Sequence, residues 1–184
     1  MNIVTNQAVR TISRKDRNRN LKWFLAGFVE GEGSFNVSLR KKIDYKTGWQ
    51  VVLSFNVSQK DVKILELLHD TIGCGIIKVR KYDGLHSLDV TNTQEIIQKV
   101  IPFFREYRLF SVEKRKNFAI FCKITQLMSK NKHKDEQGLR KILNLREKLN
   151  EGKGRKRKYQ FSDVFPIAKS SETIRQAPVP FGTG

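Results

Sequence analysis

Glu30 and Glu32 flank Gly31 at the end of the apolar stretch Trp23-Phe24-Leu25-Ala26-Gly27-Phe28-Val29, with Gly33 and Ser34 following. Leu21, Leu25 and Phe28, with Phe24 beside them, have the i, i+4, i+7 spacing of a packed helix, which Gly31 and Gly33 bring to its end. Both carboxylates therefore stand at a helix C-terminus. That is the negative pole of the macrodipole, where an acid is disfavoured by roughly 0.3–1 kcal/mol. A bound cation is the simplest compensation, and it would give the pair a chemical use. Gly27 and Gly31 add a second requirement, because two positions without side chains one turn apart let another helix backbone come close. The segment reads as a helix that packs on a second helix and presents acids at its tip. A glycine pair of this kind taken alone is more often part of an ordinary core helix with solvated glutamates.

The elements that must position this tip follow in regular order. Residues 34–42 alternate, with Phe35, Val37 and Leu39 on one side and Ser34, Asn36, Ser38, Arg40 and Lys42 on the other, the pattern of a half-buried strand. Beyond a loop with Asp44 and Gly48, residues 50–58 repeat it, Val51, Leu53, Phe55 and Val57 alternating with Gln50, Val52, Ser54, Asn56 and Ser58. Residues 61–72 put Ile64, Leu67, Leu68 and Ile72 on one helical face, with Ser58 or Asp61 as cap and Gly73 as stop. Residues 75–81 and 85–91 flank Asp83-Gly84, a hairpin signal, with Lys78 and Arg80 on one face of the first strand and Ser87 and Asp89 on one face of the second. Asn92-Thr93-Gln94-Glu95 has capping-box spacing ahead of Ile96, Ile97, Val100 and Ile101, and Pro102 is expected to end that helix. Ser111 opens another, whose early turns carry Lys114, Arg115 and Lys116 and whose later turns bury Phe118, Phe121, Cys122 and Thr125. Residues 135–150 form a last amphipathic helix. The order predicts an α+β fold, αββαββα, with four antiparallel strands and the helices on one face of the sheet.

The 184-residue chain carries 36 Lys+Arg against 18 Asp+Glu, a formal charge of +18. An excess of that size asks for a polyanionic partner, nucleic acid before anionic membrane. No apolar run approaches a membrane span, and the basic segments lack a sustained apolar face. The exposed strand rows are almost free of acids and rich in amides, hydroxyls and guanidinium groups, which read base edges when a two-stranded ribbon enters a major groove. Ser34, Asn36, Ser38, Arg40, Lys42, Gln50, Ser54, Asn56, Lys78, Arg80, Ser87 and Asp89 are the candidate double-stranded DNA contacts. Cys74 and Cys122 read as small buried hydrophobes, and His69, His86 and His133 have no metal-binding spacing. Residues 1–20 form a basic arm, 21–150 the folded domain, and 151–184 a basic extension that includes Lys153-Gly154-Arg155-Lys156-Arg157-Lys158, a solvated tail or a phosphate grip. The arm has no apolar core of a secretory signal, and its arginines leave an organellar presequence open. An intracellular protein is expected, with mitochondrion and chloroplast among the candidate compartments.

Leu25-Ala26-Gly27-Phe28-Val29-Glu30-Gly31-Glu32-Gly33 resembles, position by position, the LAGLIDADG motif of homing endonucleases, departing from it in a glutamate at both acidic positions and a glycine between them. The resemblance covers roughly residues 21–150 and implies the αββαββα fold, with a saddle-shaped sheet over DNA and motif helices paired at its centre. A single motif copy implies a homodimer with Phe24, Gly27, Phe28 and Gly31 at the interface. The implied activity is a site-specific double-strand break in a long, pseudo-palindromic target. It would depend on Mg²⁺ held by Glu32, a backbone carbonyl near Gly31 and scissile phosphate oxygens. Packed helices lie about 8–10 Å apart and the minor groove is about 6 Å wide, so two Glu32 carboxylates could face two strands. By the same resemblance Glu30 stabilises the turn, Gln59 orients water, Lys63 is a basic residue of the pocket, and Lys114, with Lys116 as a rival, follows the Pro102-Phe103-Phe104 segment. Taken singly, Gln59, Lys63 and Lys114 are ordinary solvated residues, and only their company with Glu32 marks them. An RNA-binding intron maturase, with intron RNA as partner, or a binder that does not cut would share the scaffold.

Overall fold

Strict alternation in two neighbouring segments makes a hairpin with one apolar face, and that face must be covered. In the computed structural model, which describes residues 13–151 and 157–166, the hairpin is β1 (Gly33–Lys41) and β2 (Trp49–Gln59). Helix α1 (Arg14–Glu32) precedes it and α2 (Val62–Ile72) follows. Strands β3 (Ile76–Val79) and β4 (His86–Val90) complete an antiparallel sheet in the order β1-β2-β4-β3. Next come α3 (Thr93–Glu95), a π-helical segment (Ile96–Val100), α4 (Ile101–Glu106), α5 (Val112–Ser129), α6 (Glu136–Glu147) and the short α7 (Phe161–Val164). The α+β fold read from the sequence is the fold found.

The core lies between the sheet and the helices. Phe35 and Phe55 are cross-strand partners whose rings stack at 5.4 Å, and Phe104 meets both edge-on at 5.6 and 5.5 Å. Phe118 and Phe121 of α5 close on Phe35 at 5.2 and 5.3 Å. Leu25, Ala26 and Val29 bury one side of α1, so the direction of that helix and the position of its tip are set by the same core.

Four local features differ from expectation. Helix α1 starts at Arg14, with the Ser13 hydroxyl accepting from Asp16 N–H at 3.0 Å, so part of the expected basic arm is helix; residues 1–12 lie outside the described residues. The buried face of α2 is Leu65, Leu68 and Ile72, while Leu67 is 40% exposed, and Asp61 rather than Ser58 is its cap. The Asn92 side chain accepts from the N–H groups of Gln94 and Glu95, which begins the helix by a single cap. Pro102 does not end that helix. A proline removes one N–H and collides with the carbonyl four residues back, but here Ile101 N–H reaches back five residues to Ile96 O and the chain continues helically to Glu106.

One edge of the sheet is closed by side chains. The carbonyls of Gly33, Phe35 and Val37, alternate residues of edge strand β1, accept from Lys114 Nζ at 2.6 Å, Asn150 Nδ2 at 3.0 Å and Arg146 Nε at 2.9 Å. Unpaired edge carbonyls invite another strand, and this row removes the invitation while anchoring α5 and the end of α6 to β1. Gly33 is the pivot, since α1 passes into β1 there without a loop. A Cβ on Gly33 would lie 2.4 Å from Val29 Cγ1 and 2.7 Å from Val29 O. We expect Gly33→Ala to cost about 1–3 kcal/mol of stability, the usual range for overpacking; an unchanged urea midpoint would contradict this account of the pivot.

Candidate active site and nucleic-acid face

The last carbonyls of a helix have no partner within it, and acids placed there need one from elsewhere. Glu30 finds it 80 residues away. Its two carboxylate oxygens accept from Phe110 N–H at 2.8 Å and Ser111 N–H at 3.1 Å, so it satisfies the opening of α5, not its own turn. Burial by itself would raise the Glu30 pKa, but the Ser111 hydroxyl, the two N–H groups and the nearby Lys114 outweigh it and hold the carboxyl below its ordinary value. Glu32 is exposed, and among the described residues no hydrogen bond or ion pair engages its carboxylate. The two acids look alike in sequence and are opposite in environment.

Lys114 is partly buried between them and the strand. Its ammonium donates to Gly33 O at 2.6 Å; burial lowers its pKa, and Glu30 and Glu32 oppose that by stabilising the charged form. Lys116 lies about 200° further round the helix and points to Glu151, 3.7 Å away, which leaves Lys114 as the lysine at the tip. Gln59 ends β2 two residues beyond Val57, the partner of Gly33, at the end of the sheet where α1 passes into β1, and pairs there with His86 of β4. Its Oε1 accepts from Lys60 N–H at 2.8 Å, and its amide N–H groups remain free among the described residues. Lys63 is exposed in the first turn of α2, and only its backbone N–H is engaged, by Asp61 at 2.9 Å. The structure thus gathers Glu32, Lys114 and Gln59 at one end of the sheet and leaves Lys63 at its margin.

Among the described residues no three His, Cys, Asp or Glu side chains cluster as a metal cage. Mg²⁺ at a nucleic-acid site commonly takes one or two carboxylates and fills the rest of its shell with phosphate oxygens and water. An exposed carboxylate beside unpaired helix-end carbonyls is therefore a donor set that fits a hard divalent cation. Gly31, also exposed, contributes the carbonyl nearest to Glu32 along the chain.

The face of the sheet away from the core is mostly polar, with Val52 and the exposed Ile76 as its apolar positions. Register places Arg40 opposite Gln50, Asn36 opposite Ser54, and Ser38 opposite Val52; Ser34, Asn56 and Asp89 form one row, and Ser58, Ser87 and Lys78 another. Asp89 is the hub of this face. It accepts from Asn56 Nδ2, from Lys78 Nζ at 3.3 Å and from Ser87 Oγ at 3.4 Å, so four of the sequence-read DNA contacts, Asp89 included, are already tied together. Lys42 and Arg80 fall just beyond strand ends; Lys42 N–H closes the β1–β2 loop on Gly48 O at 2.9 Å, and Arg80 is held by Asp83. The solvent side of α1 is bare. Phe24 is 57% exposed, Phe28 partly so, and a Cβ on Gly27 or Gly31 would meet nothing within 4 Å. Phe110, 73% exposed with its ring 6.1 Å from Trp23, extends the apolar surface beside α1, which the sequence reading did not pick out.

A family model described as LAGLIDADG endonuclease matches residues 25–125. The chain belongs to that family. It is 35% identical over 159 residues to the DNA endonuclease I-CeuI of Chlamydomonas moewusii, which covers 82% of this chain and 70% of that protein. It is also 35% identical over 152 residues to a probable intron-encoded endonuclease 2 of Neurospora crassa, covering 79% of this chain and 33% of the relative. Among solved structures, I-SmaMI bound to an uncleaved DNA target in the presence of calcium ions superposes with a TM-score of 0.67 at 35% identity, over 73% of this chain and 46% of that one. The chain thus spans less than half the length of two of these three relatives.

The depressed pKa of Glu30 has a testable sign. A carboxyl lowered in the folded state contributes stability that is complete above its ordinary pKa and is lost as pH falls through the folded value. Denaturant unfolding of wild type and Glu30→Gln should show a gap at about pH 7 that narrows by about pH 3. A gap independent of pH would mean that the charge of Glu30 does not hold the start of α5.

Proposed function

We propose that this chain is a site-specific DNA endonuclease of the homing type, cutting both strands of a long, pseudo-palindromic duplex as a homodimer with Mg²⁺. The observation that carries the reading is the contrast between Glu30, engaged inside the fold, and Glu32, exposed at the same helix pole with Lys114 alongside. An acid that no internal partner requires, at a site that disfavours it, is accounted for by a ligand. The names of the relatives support the same reading: a DNA endonuclease, an intron-encoded endonuclease, and an enzyme on its DNA target with calcium. An intracellular setting, in the compartment that holds the intron, belongs to this reading.

Glu32 and the Gly31 carbonyl would hold the ion, with scissile phosphate oxygens and water completing its shell. A divalent cation bound there supplies Lewis-acid polarisation of the phosphate and acidifies a water. Lys114 spends one N–H on Gly33 O and keeps two, and the neighbouring glutamates support its charge, so it can meet negative charge developing on phosphate oxygens. Gln59 offers free amide N–H groups with which to orient water, and Lys63 offers a phosphate contact. No histidine, serine or cysteine nucleophile is required.

With duplex DNA from the intron-free allele of its own locus and Mg²⁺, Glu32→Gln should abolish cutting and leave binding within a small factor. Cleavage by Glu32→Gln at the wild-type rate would remove Glu32 from the reaction. If the wild-type protein binds that DNA without cutting but binds the intron RNA tightly, the maturase reading replaces this one.

The bare Gly27/Gly31 side of α1 is the surface on which a second copy would pack. Leucine at position 27 has room in the single chain and is a better helix former than glycine by about 0.5–1 kcal/mol. Gly27→Leu should therefore keep or raise the stability of the monomer while weakening dimerisation and double-strand cleavage together. Sedimentation of the wild-type chain as a monomer on its DNA would exclude the homodimer.

A further inference from the structure

The β3–β4 hairpin ends in a cluster that the proposed chemistry does not use. Arg80 follows β3, and its N–H still bonds Leu85 O at 2.8 Å, so its side chain keeps the alternation that puts Ile76 and Lys78 on the polar face. Its guanidinium is clamped side-on by one carboxylate: Nε donates to Asp83 Oδ1 at 2.9 Å and Nη2 to Asp83 Oδ2 at 2.6 Å. Asp83 is fixed in turn, because Leu85 N–H donates to its Oδ1 at 3.2 Å and Gly84, at φ +67°, folds the chain back beneath it. The ring of Tyr82, 79% exposed, lies 4.8 Å from the guanidinium carbon.

A guanidinium has five N–H groups, and this clamp takes two of them. The remaining outward N–H of Nη2 and those of Nη1 form the end-on fork, and among the described residues nothing else bonds to it. That fork matches the O6 and N7 acceptors that guanine presents in the major groove. An unclamped arginine would lose its rotamer freedom on reaching a base; here much of that freedom is already lost in the free protein. A surface ion pair of this kind adds little stability, and a carboxylate facing a polyanion is unfavourable unless it orients something.

We propose that Arg80, Asp83 and Tyr82 form a preset guanine reader at the tip of the β3–β4 hairpin, with Arg80 contacting the base and Asp83 and Tyr82 as positioning residues. The proposal rests on the DNA-binding reading above and adds to it a base identity and two residues. All three are exposed or nearly so, and asparagine at 83 keeps the oxygen that accepts from Leu85 N–H, so the variants should fold as the wild type does.

The test is selection of bound duplexes from a randomised DNA library by the whole 184-residue chain, wild type and variants. Wild type should enrich guanine at a defined position of each half-site. Arg80→Ala should lose that preference by roughly 5- to 150-fold, the range of a good arginine–guanine pair, and Arg80→Lys should not restore it. Asp83→Asn and Tyr82→Ala should relax the same position and no other, and Asp83→Asn, having shed a negative charge, should bind bulk DNA as well as wild type or better. Profiles unchanged in Asp83→Asn and Tyr82→Ala, or a base other than guanine at the position Arg80 controls, would overturn the proposal and leave the DNA reading standing. A wild type that enriches no sequence would overturn the DNA reading, and this proposal with it.

Discussion

The constraint on which the rest depends is electrostatic: two carboxylates share the negative end of α1, where unpaired carbonyls already concentrate negative charge. The fold answers one of them. Glu30 receives the backbone N–H groups at the opening of α5, and that contact, spanning 80 residues of chain, ties the motif helix to the C-terminal helical layer. Lys114 arrives with the first turn of α5, donates to Gly33 O, and is near enough to both acids for their charges to favour its own without pairing to either. Glu32 is left without an internal answer. The tip is thus stable as built and incomplete as chemistry.

The same lysine belongs to a second structural device. Gly33, Phe35 and Val37 turn their carbonyls to Lys114, Asn150 and Arg146, so the closed edge of β1 and the candidate active site are one continuous row of interactions. Arg146, 3% exposed, shows how much the fold invests in that edge. Its Nε is satisfied by Val37 O, while its Nη1 makes no hydrogen bond and is met only by the Glu147 carboxylate at 3.5 Å, so the ion pair offsets part of the burial cost. Substitutions at Lys114 therefore act on the edge as well as on the acids, and only those that preserve the bond to Gly33 O isolate its charge.

Much of this was legible in the sequence for a physical reason. Strand alternation and the glutamate–glycine pattern at the helix end are local, and local periodicity is what a sequence displays most directly. The different fates of Glu30 and Glu32 were not legible, because what separates them is a pair of N–H groups from Phe110 and Ser111. Nor was Arg146, which reads as one more cation on an amphipathic helix until tertiary packing buries it. Pro102 misled because its cost was weighed against a regular i→i+4 ladder, and the π segment from Ile96 to Val100 shifts that ladder before the ring. Lys114 and Lys116 could not be separated by spacing to a neighbouring motif, though helical geometry places them on different sides once Ser111 is fixed as the cap. The clamp of Arg80 by Asp83 was closer to hand: arginine and aspartate three residues apart in a turn that ends in a glycine are within reach of each other, and only the contact itself had to be seen.

The central claim is that Glu32, and not Glu30, is the acid left free to hold a divalent cation. It is tested most directly by growing crystals of the chain on duplex DNA, replacing Mg²⁺ by Mn²⁺, and locating the ion by its anomalous scattering. An anomalous peak within about 2.5 Å of a Glu32 carboxylate oxygen and the Gly31 carbonyl, with Glu30 still bonded to the opening of α5, is the expected result. An ion seated on Glu30, or DNA bound in cutting position with full metal occupancy away from both glutamates, would contradict it.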